Sequence, residues 1–212
     1  INANVANAVV LKNQSEGTSW HLSAALQKSF AAGFVKGAYS YGEAKNTIDP
    51  GSIAFGSWNN NQHPGDPNNP GIGFSSGSPG QRVFAAGSYR LDYLKFGATT
   101  LSVFWEGHTE GNASYVFSGD LNGDGGTSND LIYIPRDTSE MNFQTFISGG
   151  RTYTAAEQAQ AWNAYIEQDS YLSKHRGSYA ERGGVFLPMV FRTDLSISQE
   201  LFKNIGGKRN AL

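Results

Sequence analysis

Cysteine is absent from the 212 residues, so a disulfide framework, thiol catalysis and Cys-ligated zinc are all excluded. Charge is sparse as well. Asp, Glu, Lys and Arg make up 16% of the chain and the formal net charge is −2, which leaves no basic surface that calls for nucleic acid. No apolar run approaches the roughly 18 to 20 residues of a membrane-crossing helix, and no signal peptide or initiator Met is seen. The apolar fraction, 39%, is low for a globular core. Motifs for catalysis are missing too: there is no G-x-S-x-G, no H-E-x-x-H and no phosphate-cradling loop, and the expectation is a protein that is not an enzyme. Loop carboxylates are plentiful enough for a two-carboxylate glycosidase, but their densest cluster has glycines and a spacing better suited to a cation. What the chain does have is glycine, 26 residues of it, and patterned sequence from its first residue, Ile1, which leads us to expect a piece of something larger.

The periodic stretches alternate with a period of two. Trp20, Leu22, Ala24 and Leu26 oppose His21, Ser23, Ala25 and Gln27, and Val35, Gly37, Tyr39 and Tyr41 oppose Lys36, Ala38, Ser40 and Gly42. A third strand sets Val83, Ala85, Tyr89, Leu91 and Tyr93 against Ser88, Arg90 and Asp92. A fourth sets Leu101, Val103 and Trp105 against Thr100 and Ser102, with Phe104 as an exception on the polar side. In the fifth, Phe191, Leu195, Ile197 and Leu201 share a face with Thr193 and Gln199, while Arg192, Asp194, Ser196, Ser198 and Glu200 line the other. Weaker patterns suggest strands over 5–11 and after Lys208. Connections alternate between tight turns (31–33, 94–97, 203–207) and longer ones: a modest loop at 12–18 and long loops at about 44–80 and 109–188. In an antiparallel up-and-down sheet, that alternation puts turns at one end and elaborate loops at the other, the pattern of an outer-membrane barrel. Aromatic residues beside the turns (Phe30, Phe34, Tyr93, Phe96, Phe202) and toward the loops (Tyr39, Tyr41, Trp105, Phe191) fit interfacial girdles. On that reading Arg90, Asp92, Arg192, Asp194 and Glu200 face a polar lumen and plug, because charge on the lipid side costs about 2 to 4 kcal/mol at mid-depth. A barrel cannot leave open edges in hydrocarbon, so these strands are expected to be an internal part of a larger barrel.

Residues 119–135, GDLNGDGGTSNDLIYIP, carry the densest chemistry. Asp120, Asn122 and Asp124 alternate and Gly125 follows, the order of the first half of a calcium loop. Leu131 stands where an EF-hand needs a bidentate Glu, so an EF-hand is excluded and a further carboxylate is expected from Asp130. The expected cofactor is a structural Ca2+ held by Asp120, Asn122, Asp124 and Asp130, with 131–134 as a short strand anchoring the knot. Thr154 and Glu157 form a capping-box signal, and Ala155, Ala159, Trp162 and Ile166 then fall at helical spacing through Gln168. His175, Arg176 and Arg182 in YLSKHRGSYAERGG read as a solvated return segment, and WNNNQHPGDPNNP, 58–70, as a run of turns rather than a site.

The ordered set GDLNGDGGTSNDLIYIPRD, AYIEQDSYLSKHRGSYAERGG and FRTDLSISQEL resembles the C-terminal half of the barrel of TonB-dependent outer-membrane transporters, in the Oar-like branch of Bacteroidetes and related bacteria. The resemblance covers most of the chain after about Trp20. It implies an all-β fold: part of a transmembrane antiparallel up-and-down barrel of roughly 22 strands, plugged by a separate domain. It also implies transport of a bulky substrate across the bacterial outer membrane, in contact with lipid. The partners it implies are the protein's own plug and remaining strands, the TonB system, and optionally a surface lipoprotein. The plug, the TonB box and the final strands of that family are not in this sequence. The alternative, from a different class, is a soluble secreted β-rich module that binds calcium and a glycan.

Overall fold

The computed structural model describes residues 8–10, 12–94, 97–200, 202–205 and 208–210. It is mostly antiparallel β-structure with few helices, an all-β chain. Five long strands form the main sheet in the order of the chain: β1 (Thr18–Phe30), β2 (Gly33–Asn46), β3 (Gly80–Leu94), β4 (Gly97–Thr109) and β5 (Met189–Glu200). They hold 12 to 15 residues each. At about 3.3 Å per residue this is roughly 40 to 50 Å along the strand. Among the described residues the sheet is open, with β1 and β5 at its two ends. Strands Phe202–Ile205 and Lys208–Asn210 pair as a separate hairpin, so the segment expected to begin a strand at Lys208 does so against its immediate predecessor. The early strand expected over 5–11 falls largely outside the described residues, and 8–10 carry no strand.

Register turns alternation into faces. Across β2, β3, β4 and β5, Val35 pairs with Gly87, Gly87 with Val103 and Val103 with Leu195, and the rows above and below repeat the sorting. One face carries Tyr39, Val83, Trp105, Leu101, Phe191 and Ile197. On the other, Phe84, Glu106 and Arg192 form one row, Arg82, His108 and Val190 the next, and Ser88, Ser102 and Ser196 another. Apolar side chains on the first face stay largely uncovered: Leu26 is 84% exposed and Ile197 65%. Gly107 sits on this face opposite Phe191, whose ring lies within 2.6 Å of where a Cβ would stand, so the ring covers the glycine and stacks on Trp105 at 5.7 Å. Aromatic side chains mark both ends of the face. Trp20 and Tyr41 meet edge-on at 5.3 Å toward the loop end, and Phe30 and Tyr89 lie 6.1 Å apart toward the turn end. Phe34 departs from the expected girdle. It pairs with Ser88 and so belongs to the polar face, because it is one residue out of phase with Val35. Phe96 and the side chain of Phe202 lie outside the described residues, as does Leu201.

The chain divides by contacts into two units: 19–44, 77–111 and 186–212, which contain the sheet, and 1–18, 45–76 and 112–185, drawn from the long connections. The second unit has its own core. Leu131, Ile134, Ile166, Leu172 and Ala180 are buried, with Tyr115, Val116, Ile132, Met141, Trp162 and Tyr171 packed around them. Helix α2 (Ala155–Gln168) supplies Ile166 and begins at the expected capping box: the Thr154 side chain accepts from the Glu157 N–H, and Glu157 accepts from the Thr154 N–H. A shorter helix, α1 (Ala54–Asn59), lies in the first long connection, which the sequence reading had left without one. The short strand Tyr133–Ile134 pairs antiparallel with Ser178–Tyr179, placing the core residue Ile134 opposite Ser178.

Candidate functional site

On the polar face of the sheet, Arg90, Asp92, Arg192, Asp194 and Glu200 all stand on one side. Arg90 on β3 reaches across β4 to Glu200 on β5 in a two-pronged pair, Nη1 to Oε1 at 2.7 Å and Nη2 to Oε2 at 2.8 Å, and its Nε also donates to Asp92 at 3.3 Å. The strand between them makes room. Ala98 of β4 pairs with both Asp92 and Glu200, and it is 1% exposed. A longer side chain there would stand in the path of the guanidinium. Toward the loop end Arg82 pairs with Glu106 at 3.1 Å, and Arg192 with Asp194 at 2.8 Å. His108 lies in the row of Arg82 and Val190; its Nε2 is 3.4 Å from Glu110, and its buried Nδ1 has no hydrogen-bond partner among the described residues. Such a face is ionic and internally paired, which suits a hydrated surface and would be costly against hydrocarbon.

In the unit drawn from the long connections, the glycine-rich acidic segment folds as a tight knot. Gly123 and Gly125 adopt φ of +79° and +88°, the left-handed turn that the Asp-x-Asn-x-Asp-Gly pattern anticipates. Asp120 Oδ1 accepts from the N–H groups of Gly123 (2.7 Å) and Asp124 (3.1 Å), and Oδ2 from that of Gly125 (3.0 Å). Asn122 Oδ1 accepts from the Asp124 N–H, while its Nδ2 donates to Asp124 Oδ2 and to the Gly65 carbonyl. Asp124 Oδ1 accepts from the Gly126 N–H at 2.6 Å, and Asp130 Oδ2 from the Leu121 N–H at 2.8 Å. The four residues singled out from the sequence are thus gathered in one loop, each turned onto N–H donors. Among the described residues no group of three or more His, Cys, Asp or Glu side chains converges on a single metal position.

Two residues missed by the sequence reading complete the knot. His63, fully buried, comes from the Asn/Pro/Gly-rich stretch taken for turns, and Asn129 is 1% exposed. The Gly65 N–H donates to His63 Nδ1, which makes Nδ1 the acceptor. Nε2 then carries the hydrogen and donates to Asp124 Oδ2 at 3.1 Å. Asn129 Nδ2 donates to Asp124 Oδ2 at 3.0 Å and to the Asn59 carbonyl at 3.0 Å. Burial opposes ionisation of Asp124, but donors from Gly126, Asn122, Asn129 and His63 outweigh it and hold its pKa below the ordinary carboxylate value. Backbone bonds run the same way: His63 N–H to the Asn129 carbonyl, and Leu131 N–H to the His63 carbonyl. The first long connection is thereby stitched to the second. Only an isolated His beside a proline marked this in the sequence, and pairing between segments some sixty residues apart has no local signature.

The basic return segment is likewise built in. Arg182 is 9% exposed; Nη2 donates to the carbonyl and side-chain oxygens of Asn46, and Nη1 to Asn61 Oδ1 at 3.2 Å, with Asp49 at 3.8 Å. Burial lowers its pKa against the pull of Asp49 and Glu181. Arg176 donates to the carbonyls of Pro135 and Arg136, and His175 Nδ1 lies 2.7 Å from the Tyr171 carbonyl. Arg176 and Arg182 tie loop segments together, while His175 bonds within its own segment, which corrects the expectation of a solvated return segment. Beside Arg182 a cleft of about 540 Å³ is lined by Asp49, Asn60, Asn61, Phe74, Asn112 and Ser114. Comparison with protein-family models, with curated proteins and with solved structures gave no match.

Proposed function

We propose that this chain supplies wall strands and external loops of a plugged β-barrel transporter of the bacterial outer membrane, of the TonB-dependent kind. The observation that carries this reading is the two-faced register of β2 to β5. An apolar face with aromatic side chains at both ends backs onto an ionic face paired within itself. In water, each fully exposed Leu or Ile forgoes about 1.5 to 3 kcal/mol of burial, and this sheet repeats that loss across several strands. In a bilayer the same side chains meet hydrocarbon. The lengths of the strands fit a tilted crossing, and both long connections leave from one end of the sheet while both tight turns lie at the other. On this reading Arg90, Asp92, Arg192, Asp194 and Glu200 look into the lumen toward the plug. The missing pairings at β1 and β5 are made by further strands of the same barrel, and the end bearing the long connections faces outward.

The test is the full-length protein in isolated outer membranes. It is expected to partition with the membrane fraction and to migrate faster unheated than boiled on a denaturing gel, as folded barrels do. Recovery in the soluble fraction after membranes are removed, with no heat-dependent shift, would overturn the reading.

A further inference from the structure

We propose that the acidic knot is a calcium site, with Asp120, Asn122, Asp124, Asp130 and Asn129 as its oxygen donors, and that the ion locks the first long connection onto the second. This goes beyond the transporter reading and does not depend on it.

Three carboxylates sit within eleven residues. Asp130 is 3% exposed and the Asp124 side chain 9%. No ion pair among the described residues brings a Lys or Arg to any of them; the single contact of this kind is His63 to Asp124, in which the imidazole acts as a neutral donor. Asp124 and Asp130 are largely buried on N–H donors, with no Lys or Arg beside them among the described residues, and a bound metal ion supplies positive charge in such a setting. The second observation is independent of the acidic residues. Among the described residues, Asn129 Oδ1 is buried without a hydrogen-bond partner. The whole amide packs against Gly126 in the curl of the loop, with Nδ2, Cγ and Oδ1 all within 2.5 Å of where a Cβ would stand, and Nδ2 donates to Asp124. An orphaned carbonyl oxygen beside carboxylates that have no cationic partner is what a hard cation satisfies.

The donor set is oxygen only, which favours Ca2+ or Mg2+ over zinc or copper. Calcium is the better fit, because a flexible glycine loop tolerates irregular coordination of six to eight oxygens and Mg2+ demands a near-ideal octahedron. Binding exchanges the N–H donors that Asp124 takes from Asn122 and Asn129 for the ion. It leaves the Gly125 turn in place. Since His63 contacts Asp124 and the Asn59 carbonyl accepts from Asn129, order at the knot extends directly to the first connection.

The experiment is calorimetric titration of the purified full-length protein in detergent with CaCl2 and, separately, MgCl2. It is paired with trypsin digestion in calcium or in EDTA. One Ca2+ per chain is expected, with a Kd on the order of 10⁻⁴ M, in the range of extracellular calcium modules. Asn122→Ala, an exposed position that leaves the core untouched, is expected to weaken binding at least tenfold, and Asp130→Asn more. EDTA is expected to speed cleavage after Arg136, Arg151 and Lys174 without altering heat-dependent gel migration. No calcium heat up to 10 mM (roughly a hundred times that Kd), or calcium binding that neither variant changes, would overturn the site. Because the migration assay is read on the same samples, failure of the calcium site and failure of the barrel reading are told apart.

Discussion

Leu195 of the sheet is 71% exposed and Leu172 of the loop unit is fully buried, although both are leucines flanked by polar residues. The contrast extends to the two regions. In the sheet, alternation with period two sends every second side chain to an uncovered apolar face, and the described chain provides nothing to cover it. In the loop unit, side chains from three separated stretches converge on Ile134, Ile166 and Leu172. Polar groups differ in the same sense. Those of the sheet pair side chain to side chain across strands, as in Arg90 with Glu200, and those of the knot and of Arg176 are spent largely on backbone groups. One region is regular and looks outward for its solvent; the other is irregular and carries its own interior.

That comparison can be broken most severely at Leu172. Truncation to Ala removes a fully buried side chain from a small core and is expected to cost about 2 to 5 kcal/mol. The loss should appear as faster hydrogen exchange across 112–185 with little change in the strands. Uniform loss of protection over β1 to β5 would show instead that the two regions are one cooperative body.

Next in size is a charge on the apolar face. On the transporter reading proposed above, Leu195→Arg is expected to destabilise the protein in lipid by about 2 to 4 kcal/mol. Ser196→Arg, one residue along on the ionic face, should stay within about 0.5 kcal/mol of the parent, as exposed polar positions do. Urea unfolding from lipid vesicles measures both. Equal effects would mean that the two faces do not meet different solvents.

The smallest expected effect tests whether the loop unit is held by local signals as well as by its core. Thr154→Ala removes the capping acceptor of α2 and should cost about 1 kcal/mol, visible as fraying of the first turn of the helix in hydrogen exchange. An unchanged first turn would put the helix start entirely under the control of packing.

Much of this was legible in residues taken a few at a time. The strand phases could be read because alternation is local: Phe191, Leu195 and Ile197 share a face in any extended chain. The capping box could be read because its partners stand three residues apart, and the knot because Gly123 and Gly125 supply the positive φ that its turn needs. Phe34 was misplaced because nearness to a turn was weighed above phase. The sequence reads Arg182 and Arg176 as solvated because a basic side chain is ordinarily exposed, and nothing nearby shows that Asn46, Asn61, Pro135 and Asn163 wait for them.

By itself, then, the sequence determined the all-β character, the two faces of each strand, the lengths of the connections and the acidic turn, all of which depend on neighbours within about a turn or a strand. The tertiary structure alone decided that Arg90 crosses Ala98 to reach Glu200, that His63 and Asn129 enclose Asp124, and that one buried amide oxygen is left without a partner. Each of these joins residues that the chain brings together only by folding, where the cost of closing a long loop must be met before the contact exists.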